Sequence, residues 1–219
     1  METGASRRTW VETLKLVPPS LSDNTADQER FITALQKRLG TSAIQLDLDL
    51  ARALPALLRR WDYRLRCALI HDREIWHVCG LTGEADPRPL CGMAIDLGTT
   101  RIVLSLLHLE TGQVLQEDSF DNPQGTIGPD VLTRVHHADQ EGGLNHLKHL
   151  VVEGLNRMIG GLCERARIER DRIVLLALAG NTTMTQLFLA VNPRYIRRAP
   201  YVPAAALYPP VRANDLGLD

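Results

Sequence analysis

Apolar positions in the first third of the chain come in short runs of changing period, and each run ends at a Gly, a Pro or a cluster of polar residues. Thr9 to Val17 alternate weakly and predict a strand, stopped by Pro18-Pro19. Ser22-Asp23-Asn24-Thr25 then offers helix caps, and Phe31, Ile32, Leu35 and Leu39 follow at helical spacing up to Gly40. A second helix is predicted from about Leu50 to Trp61, burying Leu54, Leu57 and Leu58, with Pro55 as an interruption. Leu65–Ile70 and Ile75–Cys79 read as short strands joined by His71-Asp72-Arg73-Glu74. Asp47 and Asp49 alternate with leucines, and a cap or a solvated edge accounts for them better than a metal site.

The pattern changes after Thr82-Gly83-Glu84-Ala85-Asp86-Pro87-Arg88-Pro89-Leu90-Cys91, which reads as a linker. From Gly92 the apolar runs predict strands at about 92–97, 101–109 and 113–120, antiparallel because the turns between them are short. Asp121-Asn122-Pro123-Gln124-Gly125 leaves the sheet. A helical stretch follows at Val131–Val135, and then a long helix from about Leu144 to Arg165. Leu147, Leu150, Val151, Leu155, Met158, Ile159 and Leu162 form its apolar face. Ile173–Ala179 is apolar throughout and predicts a buried central strand. Gly180-Asn181-Thr182-Thr183-Met184 ends that strand and opens a helix, and the chain reads as irregular from Ala199. The fold class is therefore α/β. A small α+β unit at 1–81 and a linker at 82–91 precede a β-β-β-α-β-α unit at 92–219, similar to the start of a ribonuclease-H-like half-domain.

Composition narrows the function classes. The 219 residues are 44% hydrophobic and 23% charged, with a formal net charge of -1, so neither nucleic acid nor an anionic membrane is implied as a partner. Arg7-Arg8, Arg59-Arg60 and Arg197-Arg198 are short, scattered pairs that suit solvated faces. No apolar stretch reaches the length of a membrane span, and Met1–Trp10 is polar, without a hydrophobic signal region. Cys67, Cys79, Cys91 and Cys163 are widely spaced and form no CxxC, which supports free thiols in a reducing cytoplasm and no iron–sulfur cluster in this chain.

The chemistry concentrates in Met93-Ala94-Ile95-Asp96-Leu97-Gly98-Thr99-Thr100-Arg101-Ile102-Val103-Leu104, a strand, tight turn and strand. Gly98 admits close backbone approach to a ligand, and the amides and hydroxyls of Thr99 and Thr100 can donate to phosphate oxygens. Asp96 is placed to hold Mg²⁺ directly or through water. A P-loop is excluded, because no Lys follows the glycine and no helix opens there. The plainer reading is a hairpin turn that happens to use Asp, Gly and Thr. Among other polar groups, Asp130 and Arg134 have the spacing of an i,i+4 ion pair. His136 and His137 are adjacent. His146 and His149 lie three apart without a carboxylate or Cys companion, so a solvated face is preferred to a metal site.

Four stretches together carry a family resemblance. Gly92–Thr100 resembles the first phosphate motif of the acetate kinase, sugar kinase, Hsp70 and actin superfamily. Ser119-Phe120-Asp121-Asn122-Pro123-Gln124, Gly128-Pro129-Asp130-Val131-Leu132-Thr133-Arg134-Val135, and Ala179–Met184 running on to Asn192-Pro193-Arg194-Tyr195 narrow the match. In this order they resemble the ATP-dependent reductive activators of corrinoid proteins, and Pro18-Pro19-Ser20-Leu21 with the helix after it is similar to that family's middle domain. The resemblance implies ATP-driven one-electron reduction of corrinoid cobalt from Co(II) to Co(I), with an iron–sulfur domain as donor and a corrinoid protein as partner. It implies Asp96, Gly98, Thr99 and Thr100 as ligands of ATP and Mg²⁺, with Gly180, Asn181 and Thr182 facing the same cleft. Strand-end capping is the alternative role of Gly180 and Asn181.

Two residues depart from the family pattern: Arg101 stands where a third Thr is common, and Pro129 where a small or acidic residue is usual. No second phosphate motif or adenosine-binding glycine pair follows residue 184. The expectation is a fragment, inactive alone, whose iron–sulfur domain and C-terminal half lie on the same or another chain. No catalytic residue is assigned. The rival readings are a fragment of another kinase-like enzyme of the superfamily and a non-catalytic docking module.

Overall fold

The computed structural model describes residues 11–219. Thr9 and Trp10, the predicted start of the first strand, and the polar stretch before them lie outside the described residues. The chain divides into two compact units, the first comprising residues up to Cys91 together with His108–Gln113, the second comprising Gly92–Leu107 and Val114–Asp219.

The first unit runs β1 (Val11–Lys15), α1 (Asp27–Leu39), β2 (Ile44–Leu46), α2 (Leu48–Arg60), β3 (Arg64–Asp72) and β4 (Ile75–Gly83). Its sheet has the order β1-β3-β4-β2. β1 and β4 flank β3 antiparallel, while β2 runs parallel to β4 with Ile44 opposite Trp76. The β3–β4 turn carries Arg73 and Glu74 at φ 45° and 71°, the left-handed backbone that a two-residue hairpin demands. Phe31 and Leu35 of α1 and Leu54 and Leu58 of α2 form a core with Leu65, Cys67, Leu69 and Trp76 of the sheet. Leu57, expected inside, is only half-buried.

Two local readings change in this unit. The polar run before α1 does not cap it: the cap residue is Ala26, with no side-chain bond. Asp23 instead accepts from the Thr25 N–H and hydroxyl and from Arg30 Nη1 at 2.7 Å, closing the loop on itself. At the other end Gly40 takes the left-handed conformation at φ 69°, as its place after the helix requires. Asp47 is the cap of α2, accepting from the Leu50 N–H at 2.9 Å. Pro55 sits inside α2 without ending it.

The second unit runs β5 (Cys91–Leu97), β6 (Arg101–His108), β7 (Val114–Asp121), α3 (Val131–Ala138), α4 (Gly143–Ala166), β8 (Ile173–Gly180), α5 (Thr182–Phe188) and a short α6 (Ala213–Leu216). The sheet order is β7-β6-β5-β8, with β6 and β7 antiparallel. α4 buries Leu147, Val151, Leu155, Ile159 and Leu162, while Leu150 and Met158 are half-buried.

β8 is the main correction. Its unbroken apolar run predicts a central strand covered on both faces, yet it lies at the edge of the described sheet. Ile173–Leu176 are half-buried, and Ala177, Ala179 and Gly180 are exposed. The run reports a strand built for burial, and among the described residues no strand lies beyond it. The last residues pack on α4: Asn156 donates to the Gly217 carbonyl at 2.8 Å and accepts from the Asp219 N–H, and Leu218 is buried.

Candidate functional site

β5 ends at Leu97 and β6 begins at Arg101, so Gly98-Thr99-Thr100 is the turn between two paired strands. Gly98 is required sterically, because an added Cβ would stand 2.2 Å from the Arg101 carbonyl oxygen. Asp96 and Thr100 are exposed, and Gly98 and Thr99 are half-buried.

The turn is held from two sides. Asn122, at the end of β7, donates from Nδ2 to the Gly98 carbonyl at 2.8 Å and from its backbone N–H to the Thr100 carbonyl at 2.7 Å. Its Oδ1 accepts from the Gln124 N–H at 3.0 Å. From the other side Asn181 Nδ2 donates to Thr99 Oγ1 at 3.1 Å, across 82 positions of sequence. Gly180 reaches the same place, for a Cβ on it would lie 3.2 Å from the Leu97 carbonyl. Asp96, Gly98, Thr99, Thr100, Gly180, Asn181 and Thr182 thus occupy adjoining strand ends of one sheet, and Thr182 is exposed at the first position of α5.

Asn181 serves the capping role as well. Its Oδ1 accepts from the Met184 N–H at 2.9 Å, which starts α5, while its amide holds Thr99. With both ends engaged it acts as a brace. Arg101 lies along β7: its Nε donates to Ser119 Oγ at 2.8 Å, and Nη1 lies 3.8 Å from Asp121.

The i,i+4 pair expected of Asp130 and Arg134 does not form. Asp130 caps α3, and bonds from the Thr133 N–H and hydroxyl hold its carboxyl below the usual range. Arg134 is buried, and burial lowers its pKa. Its Nε donates to the Gly128 carbonyl at 2.9 Å, and Nη1 reaches Gln124 Oε1 at 3.4 Å and Met184 Sδ at 3.5 Å. Gln124 also donates to the Leu147 carbonyl at 2.9 Å, so a buried polar chain links the phosphate-type turn through Asn122 and Gln124 to α3 and α4. Reasoning on the sequence gave Asn122 and Gln124 no role. The available signal was an Asn before Pro at a strand end, an Asx-turn former.

Two open clefts, of about 690 and 520 Å³, lie in the first unit, the larger lined by Lys15, Arg60, Trp61 and Glu84, the smaller by Pro19, Leu21 and Arg59. Neither includes a residue of the turn. Among the described residues no group of three or more His, Cys, Asp or Glu is arranged to hold a metal ion, and no helix is long and apolar enough to cross a membrane. All four cysteines are free thiols.

The family description "RACo middle region" matches residues 91–219, and "RACo linker region" matches 6–84. The chain belongs to this family of reductive activators of corrinoid proteins. The segment that the resemblance assigns to a middle domain is the one matched as the linker region, and the middle region falls on the second unit. Corrinoid activation enzyme RamQ of Eubacterium limosum is 33% identical over 182 residues, covering 75% of this chain and 30% of the relative. The solved structure of a reductive activator for corrinoid, iron–sulfur protein superposes with a TM-score of 0.84 at 30% identity, over 96% of this chain and 34% of that one. The chain therefore spans about a third of the length of these relatives.

Proposed function

We propose that this chain is part of an ATP-dependent reductive activator. The whole protein uses ATP to drive one-electron reduction of corrinoid cobalt from Co(II) to Co(I). The electron comes from an iron–sulfur domain on the same or another chain, and the partner is a corrinoid protein. Identity of about a third to a corrinoid activation enzyme supports the reaction class. The order β7-β6-β5-β8 supports reading the second unit as the first part of an actin- and Hsp70-like, ribonuclease-H-like ATPase domain. Its setting is the cytoplasm, where four free thiols stay reduced.

The bond from Asn181 to Thr99 carries the nucleotide reading, because it brings two segments distant in sequence to one exposed edge. The donor set there fits a Mg²⁺–phosphate. Asp96 offers a hard carboxylate oxygen in solvent, and the turn's amides and the Thr100 hydroxyl offer donors to phosphate. Asp96 would hold Mg²⁺, while Gly98, Thr99, Thr100, Gly180 and Thr182 would line the phosphates, with Asn181 fixing Thr99. Bound Mg-ATP would supply the free energy of phosphate release. These residues orient the phosphates and take no part in electron transfer.

The test is Asp96→Ala in a full-length activator containing this segment. ATP-dependent corrinoid reduction should be abolished while melting temperature and secondary structure stay unchanged. Undiminished ATP turnover would refute the Mg²⁺ role.

A further inference from the structure

His137 lies in the last turn of α3 and His146 in the first turn of α4. Their rings meet edge to face, with centroids 5.4 Å apart and planes at 62°. Nε2 of His137 lies 3.2 Å from Nδ1 of His146. The backbone fixes this approach: a Cβ on Gly143, the first residue of α4, would stand 1.9 Å from the His137 carbonyl oxygen. His149, the helical neighbour that sequence spacing would pair with His146, turns instead to Glu153 at 3.0 Å.

Two nitrogens on separate helices, held close and reachable from solvent, have the bite of a chelate. Zinc binds imidazole nitrogen at about 2.0–2.1 Å, so two ligands of a tetrahedral ion stand about 3.3 Å apart. The observed spacing is already close to that. We propose that His137 and His146 form a two-imidazole site for a borderline divalent transition ion, Zn²⁺ first, which staples the end of α3 to the start of α4. For both facing nitrogens to bind the ion, any proton lying between Nε2 and Nδ1 leaves through solvent, each ring keeping its N–H on the outward nitrogen. Water completes the coordination, since no group of three protein ligands exists among the described residues. The site is therefore open and exchangeable. It is independent of the nucleotide reading.

The experiment uses the tag-free, metal-stripped chain titrated with Zn²⁺, followed by calorimetry and by NMR of the histidine rings. One equivalent should bind, moving the His137 and His146 ring signals together, and Mg²⁺ should not compete because it prefers oxygen. His137→Asn or His146→Asn should weaken binding at least about tenfold, the scale on which even outer partners of a metal act. His149→Asn should leave it unchanged. Far-UV circular dichroism checks each fold, and His137→Gln replaces a variant that fails. The proposal is overturned by binding that survives loss of His137 or His146, by binding lost with His149, by ring signals that do not move together, or by no saturation at millimolar Zn²⁺.

Discussion

Asn122 carries more of the phosphate-type turn than any residue inside it. It is buried, and its side chain joins the Gly98 carbonyl to the Gln124 N–H. Leaving a buried polar group unpaired costs about 1–3 kcal/mol. Asn122→Ala orphans one acceptor and one donor, so it should destabilise the second unit by about 2–4 kcal/mol in urea unfolding. It should also speed amide exchange across residues 98–100 relative to β6, and unchanged exchange there would mean the turn holds its shape unaided. Cys67 behaves differently, because burial pushes its thiol up to about 12 from 9.0. The folded state keeps that proton after the unfolded chain has lost it. Its contribution is complete below pH 9.0 and is lost as pH rises toward 12, so stability of the first unit should fall above pH 9.0. Melting temperatures across that window, compared with Cys67→Ala, check the sign.

At the scale of elements, β8 and α3 show opposite ways of departing from pattern. β8 has no polar residue between Ile173 and Gly180, yet it stands at a sheet edge with Ala177, Ala179 and Gly180 exposed. An apolar edge strand is a template for pairing with another chain. The purified chain should self-associate with rising concentration in light scattering, and Ala177→Lys should suppress this by charging an exposed edge position. A stable monomer with no dye-accessible apolar surface would show that β8 needs no further cover. In α3 the departure is a buried guanidinium whose partners are a carbonyl, an amide and a thioether. Arg134→Ala leaves the Gly128 carbonyl unpaired and opens a cavity, together about 2–4 kcal/mol. A loss below 0.5 kcal/mol in urea unfolding, the scale of an ordinary surface change, would contradict that accounting.

For the whole molecule, the seven residues proposed to face a nucleotide supply phosphate contacts, and the two clefts described lie in the first unit. Affinity rises when polar groups are desolvated in a preorganised, closed site, and an exposed edge provides little of that. Calorimetry of this chain with Mg-ATP should therefore show weak binding or none. Micromolar affinity would mean that 219 residues suffice for a nucleotide site.

What the sequence determined by itself is local. The three-strand run after Gly92, the long apolar face of α4, the β3–β4 hairpin and the composition of the phosphate-type turn are each written in contiguous residues, where steric limits and period act within a few positions. It did not determine β2, three residues whose strand conformation rests on parallel pairing with β4, nor how far the faces of β8 are covered. Burial propensity says how a strand would like to be covered and not whether cover is present. The caps show the same division. Asp47, Asp130 and Asn181 bond to N–H groups three residues on, a spacing visible in sequence, whereas Ala26 displaced the polar residues before α1 because Asp23 found Arg30 in space. The candidate site was half legible for the same reason. Asp96 to Thr100 can be read as a string, but the Asn122 and Asn181 braces act across 24 and 82 positions of sequence. Such bonds form only after the strands pair, so tertiary structure alone brings their two ends together.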